Sequence, residues 1–171
     1  MQRVLLNASI KSVIVLLHAL LMLLPVKGHA QEKEARQVNN AVYVELLGNA
    51  GYLYNLTYDR TIYTKEKRKF SIAIGAQYLP ESSLSNEDLL STSHQLNLFF
   101  GVKHHFETGI GLVIDYGNGD QAYLARIGYR YQDPGGGVFF RIGFTPVFVQ
   151  DILERSSIVL PWAGLSYGRT F

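Results

Sequence analysis

The chain has 171 residues, enough for one domain, and no cysteine, so neither a disulfide framework nor a thiolate metal site is possible. With 47% hydrophobic residues it is too polar to be a bundle of membrane helices, and a formal net charge of +2 is far from the concentrated basicity of a nucleic-acid surface.

At the N-terminus, Arg3 and Lys11 precede an uncharged run from Ser12 to Val26, and Gly28 and Ala30 occupy the small-residue positions of a signal-peptidase site. The run is shorter than the roughly 20 residues a spanning helix requires. Residues 1–30 are therefore predicted to form a signal-peptide helix that is cleaved on export. No cysteine is present for lipoprotein processing. Losing Arg3, Lys11 and Lys27 leaves 13 of the 16 basic residues against 14 acidic ones, a net of −1, so no nucleic-acid partner is expected. Residues 31–40 are polar and charged and read as a flexible mature N-terminus; residues 41–171 are the predicted domain.

From Ala41 onward the period is two, the signature of strands. Val42, Val44 and Leu46 alternate with Tyr43 and Glu45. After a turn at Gly48–Gly51, Tyr52, Tyr54, Leu56 and Tyr58 alternate with Leu53, Asn55, Thr57 and Asp59. Arg60–Lys69, with its cationic run from Lys65, reads as a solvated turn, with contact to anionic lipid as the sharper alternative. Phe70 to Tyr78 is a third strand, Leu79–Thr92 a Ser-rich acidic loop, and a fourth strand runs from about Ser93 to Lys103. His104–Thr108 reads as a turn. Strands over Ile110–Tyr116 and Tyr123–Tyr131 flank the turn Gly117–Asp120, and Asp133–Gly137 turns the chain again. Val138 to Thr145 is a strand that Pro146 is expected to end, because proline cannot donate to a ladder. Val147–Ser157 reads as a loop before the closing strand. The sum is about eight antiparallel strands joined as hairpins, most near the 9–11 residues that cross a bilayer at a tilt.

One face of every strand is aliphatic and aromatic. The other carries Glu45, Asp59, Lys103, Asp115, Arg126, Arg130 and Arg141, three acids against four bases. An eight-stranded barrel is only just wide enough to be filled by side chains, so the many tyrosines on the apolar face fit better outside, against lipid, with the charges paired inside. These seven residues are the predicted lumen charge network, a structural plug, with a narrow pore as the alternative. A large diffusion channel is not expected, since porins need about sixteen strands.

No pattern of chemistry emerges. His104 and His105 with Glu107 resemble metal ligands, but neighbours on a strand point to opposite faces. His94 has Thr92 and Leu96 two positions away, without the serine that a lipid A deacylase pairs with its histidine. Asp133–Gly137 lacks the Lys and Ser/Thr of a phosphate-binding loop. No enzyme activity, cofactor or metal is expected.

In the closing stretch Ala163, Leu165, Tyr167 and Phe171 share one face, and Gly164, Ser166, Gly168 and Thr170 the other. The stretch resembles the C-terminal strand of bacterial outer-membrane β-barrel proteins, although Arg169 stands where that pattern has an apolar residue. The resemblance implies that Tyr167 and Phe171 serve as an insertion signal read by the barrel-assembly machinery. Together with Asn39–Gly51, Arg141–Pro146 and Trp162–Gly168, the chain from about Asn39 to Phe171 is similar to small, mostly uncharacterised outer-membrane barrels of the Bacteroidota, a family that brings no catalytic residues with it.

The expectation is an all-β, closed, up-and-down transmembrane barrel of about eight strands, monomeric, in a Gram-negative outer membrane among lipid and lipopolysaccharide. Both termini would be periplasmic. Gly48–Gly51, Leu79–Thr92, Gly117–Asp120 and Val147–Ser157 would point outward, and Arg60–Lys69, His104–Gly109 and Gln132–Gly136 would be periplasmic turns. The second and fourth outward loops would be long enough to bind a surface ligand. A narrow pore or a lipid A-modifying enzyme in the same membrane is the alternative reading, and a secreted lipocalin-like carrier of a small apolar ligand is the rival class.

Overall fold

Alternation of apolar and polar residues lets each segment bury one face, and hairpin register then decides which strands meet. The computed structural model describes residues 38–48, 54–80, 88–117, 119–151 and 156–171; the predicted signal peptide, most of the mature N-terminus and Tyr52 lie outside them. Ten strand segments are present among the described residues: β1 (Asn40–Leu47), β2 (Tyr54–Lys65), β3 (Arg68–Leu79), β4 (Leu89–Gly101), β5 (His104–Asp115), β6 (Gln121–Gln132), β7 (Gly137–Phe144), β8 (Val147–Asp151), β9 (Ser156–Leu160) and β10 (Ala163–Thr170). Every pairing is antiparallel, and the sheet closes through β1 against β10 and β5 against β6.

The ten segments make eight staves. Val147 partners Leu160 just as Phe144 partners Ala163, with no shift of register, so β7 and β8 are one stave and β9 and β10 the next. Two bonds bridge the interruption: the Thr145 N–H donates to Trp162 O at 2.7 Å, and the Ala125 N–H donates to Pro146 O at 3.1 Å. Pro146 therefore removes one donor without ending the strand. The expected loop at Val147–Ser157 is corrected to two strand ends with residues 152–155 between them.

Other boundaries also move. β3 runs to Leu79 and β4 starts at Leu89, which shortens the expected loop Leu79–Thr92. The expected turn Arg60–Lys69 is strand except for Glu66 and Lys67, and Lys69 is buried in the lumen. His104–Gly109 is strand too; the connection is Val102 and Lys103 alone. Asn40 belongs to β1 rather than to a flexible tail. Each shift has one cause: long hairpins gain ladder bonds from polar residues that composition assigns to turns.

The end of the barrel where β1 begins and β10 ends is tied by backbone bonds from turn to turn. Gly101 N–H donates to Lys67 O, Gln132 N–H to Lys103 O, Val38 N–H to Pro134 O and Phe171 N–H to Asn40 O, at 2.8–3.0 Å. The outside is apolar on every stave: Val44, Leu56, Ile72, Leu96, Ile110, Ile127, Ile142 and Leu165 are all exposed. The inside is polar and charged, with Glu45, Asp59, Glu107, Arg130 and Arg141 fully buried.

Candidate functional site in the barrel lumen

Register builds the site. Glu45 partners Ser166, Ser166 partners Arg141, Arg141 partners Arg130, and Arg130 partners His105. Five consecutive staves, from β1 through β10, β7 and β6 to β5, thus carry one inward row holding an acid and two arginines. Glu107 on β5 joins them from the adjacent level, and Asp59 on β2 and Arg126 on β6 from two levels away along their strands.

The six ionised groups form a chain of alternating sign. Arg126 pairs with Glu45, and Arg141 reaches the other oxygen of Glu45 at 3.1 Å. Arg141 and Arg130 both hold Glu107 Oε1, each at 3.4 Å, and Arg130 holds Asp59 Oδ2 at 2.9 Å. Three cations face three anions, and the four internal members each touch two partners. Buried charges are costly unless paired, so this alternation is what makes the lumen tolerable. Ser166 Oγ accepts from Arg141 Nε at 3.3 Å and Gln132 Oε1 from Arg130 Nε at 2.9 Å.

Aromatic rings cover the guanidinium faces. Arg130 lies 4.2 Å from the Phe99 ring centre and 4.9 Å from that of Phe139, and Arg141 lies 4.6 Å from that of Tyr43. In a dry interior such cation–π contacts are worth about 2 kcal/mol. Tyr43 and Phe139 stack at 4.5 Å. Gly168, which partners both in the ladder, makes that possible: a Cβ there would sit 2.5 Å from Tyr43 Cβ. Gly164 does the same for the ion pairs, since its Cβ would lie 2.6 Å from Glu45 Oε1.

Of the seven residues proposed from sequence as the lumen network, Glu45, Asp59, Arg126, Arg130 and Arg141 meet in it. Lys103 does not: it is exposed in the β4–β5 connection and pairs with Asp133 at 2.6 Å. Asp115 does not either; at the end of β5 it accepts from the Gly117 N–H at 2.7 Å and shapes that turn. Glu107, at the centre of the chain, lies in the stretch His104–Thr108, whose composition reads as a turn and whose place in β5 only the ladder shows. Its signal was present, two residues from His105 and in step with Gly109 and Gly111. Lys69 is likewise inside, 6.0 Å from the Phe99 ring centre.

The two histidines separate as strand geometry requires. His104 faces out, bonded to Tyr129 Oη at 2.6 Å, while His105 is buried edge-on to Phe99. On the outer wall His94 is hydrogen-bonded to Thr92 at 3.1 Å, and Thr92 to Tyr116 at 3.1 Å. Among the described residues no group of three or more His, Cys, Asp or Glu side chains is placed to hold a metal ion. Tyr167 and Phe171 both project outward, 65% and 56% exposed. No family model, curated protein or solved structure matches the chain.

Proposed function

We propose that the protein is an integral outer-membrane β-barrel of a Gram-negative bacterium, exported by its leader, with a lumen plugged by the ion-pair chain. One observation carries this reading: the barrel is apolar outside and charged inside. A water-soluble barrel needs the reverse, because hiding each large apolar side chain from water is worth about 1.5–3 kcal/mol. Here Leu56, Ile110, Ile127 and Ile142 are each at least 50% exposed, while Arg130 and Arg141 are at 0%. Lipid is the solvent that suits that wall, and a closed sheet leaves no edge unpaired within it. A lipocalin-like carrier fits poorly, because its ligand cavity would be filled with ion pairs.

The role that follows is structural, with surface contact through the outward connections, of which residues 80–88 are the longest. Tyr167 on the outer face of β10 and Phe171 just beyond its end are both exposed, which supports reading them as an insertion signal for the barrel-assembly machinery. The test is extraction and gel behaviour. Membranes of expressing cells should retain the protein through an alkaline wash. In detergent it should migrate differently before and after boiling. Recovery in the aqueous periplasmic fraction without detergent would end the membrane reading.

A further inference from the structure

The ion-pair chain leaves one feature of the charge distribution without a use. The tip of the β2–β3 hairpin carries Lys65, Lys67 and Arg68, all exposed, with Glu66 the single acid among them. Its place is set by register. Asn40, the first residue of β1, partners Arg60, so β2 runs on to Lys65 past the edge of its neighbour. Lys65 partners Arg68 directly, and Lys67 O accepts from the Gly101 N–H at 2.8 Å, so the tip is held against the β4–β5 connection. Lys103, the cation of that connection, is already engaged by Asp133.

Directly beside these cations the wall is apolar. A register shift between Thr61 and Tyr63 inserts Ile62 as an extra residue, and Ile62 and Tyr63 both stand outside, 46% and 54% exposed. Val102 in the adjacent connection is 53% exposed. A solvated turn has no need of three large apolar side chains. Aromatic and aliphatic groups capped by fixed cations match a membrane interface, where rings enter the acyl region and ammonium or guanidinium groups meet headgroups.

We propose that this sector, Ile62, Tyr63, Lys65, Lys67, Arg68 and Val102, is a binding site for anionic phospholipid headgroups at the end of the barrel where β1 begins and β10 ends. The phosphodiester takes the cations, and the apolar trio fixes the depth of the hairpin in the leaflet. The proposal rests on the membrane reading.

The experiment uses the full barrel refolded into vesicles of phosphatidylcholine containing roughly a quarter phosphatidylglycerol, followed by detergent extraction and native mass spectrometry of retained lipid. Wild type should hold phosphatidylglycerol over phosphatidylcholine by about tenfold, corrected for composition, given three cations at the headgroup surface. The triple variant Lys65→Gln, Lys67→Gln, Arg68→Gln should fall to near parity, while Lys65→Arg, Lys67→Arg, Arg68→Lys should keep the preference. High salt should erase the preference in wild type, a readout that holds even if the triple variant misfolds. No preference in wild type, an unchanged ratio in the glutamine variant, or insensitivity to salt would each overturn the proposal. A chain that fails to insert into vesicles of either composition would instead remove the membrane reading on which it stands.

Discussion

Glu107 is the middle link of the lumen chain, and its replacement by glutamine is the sharpest probe of the plug. The side chain keeps its shape but loses its charge, leaving Arg141 and Arg130 facing each other across a neutral amide. Two contacts at 3.4 Å are weakened. At an effective dielectric of about 20 each such contact is worth about 5 kcal/mol. Glutamine also avoids the several kcal/mol of desolvation that the carboxylate incurs, so the net cost expected for Glu107→Gln is about 3–5 kcal/mol. The topology of the chain then makes a second statement. Adding Arg141→Gln removes the adjacent cation and leaves two intact neutral pairs, Arg126 with Glu45 and Arg130 with Asp59. The double variant should therefore be more stable than Glu107→Gln alone, against any additive expectation. The assay is urea unfolding in lipid vesicles, followed by fluorescence of the single tryptophan, Trp162. A loss below about 1 kcal/mol for the single variant, or a double variant less stable than the single, would refute the paired, dry lumen.

The remaining predictions use other parts of the barrel. Gly168→Ala places a Cβ 2.1 Å from Val42 O and 2.5 Å from Tyr43 Cα, backbone that cannot yield cheaply; a loss of about 1–3 kcal/mol in the same assay is expected, and a neutral outcome would contradict the Tyr43–Phe139 packing. Ile142→Arg puts a charge on the outward wall at a side chain that is 50% exposed; in vesicles it should cost about 2–4 kcal/mol, whereas a near-neutral effect would mean that the wall meets water. Planar bilayers containing the wild-type protein should show no discrete conductance steps; regular openings would disprove the plug. The Lys103–Asp133 pair should give a stability plateau in pH. The hydrogen bond from Lys103, then that from the Gly135 N–H, holds the Asp133 carboxyl below its usual range, and the Asp133 partner raises Lys103. Asp133 therefore contributes above its unfolded pKa and loses that contribution as pH falls through its lowered folded value. Lys103 contributes below its unfolded pKa and loses that as pH rises through its raised one. The difference between wild type and Asp133→Asn should be small, flat around neutrality and absent at both extremes; a difference that widens in acid would refute the pairing.

The number of staves and the chemistry of their two faces were legible in the sequence, because a period of two is a local property that survives errors in strand ends. Glu45, Asp59, Arg126, Arg130 and Arg141 all lie in segments whose alternation reads as strand, so their shared face follows from the period. Lys69 and Glu107 lie in stretches whose composition reads as a turn, whereas Lys103 and Asp115 continue the alternation of a strand up to the point where it gives way to a connection. In both cases the local pattern does not fix where a strand stops, and only the ladder decides. His-His-Phe-Glu-Thr reads as polar punctuation, yet it pairs along β4 and β6 and carries Glu107 into the lumen. Pro146 misled for the same reason: a missing donor is a local fact, whereas continuity of register across β7 and β8 belongs to the neighbouring staves.

By itself, then, the sequence determined that strands would form, that one face would be apolar and the other charged, and that a closed sheet of hairpins would satisfy both. Tertiary structure alone decided which charges meet. Partnership inside a barrel depends on the register of every stave around the ring, and no local window of sequence contains that information. Closure of β1 on β10 brings Glu45 within reach of Arg141, 96 positions away, and turns a balanced composition into a chain of six alternating charges.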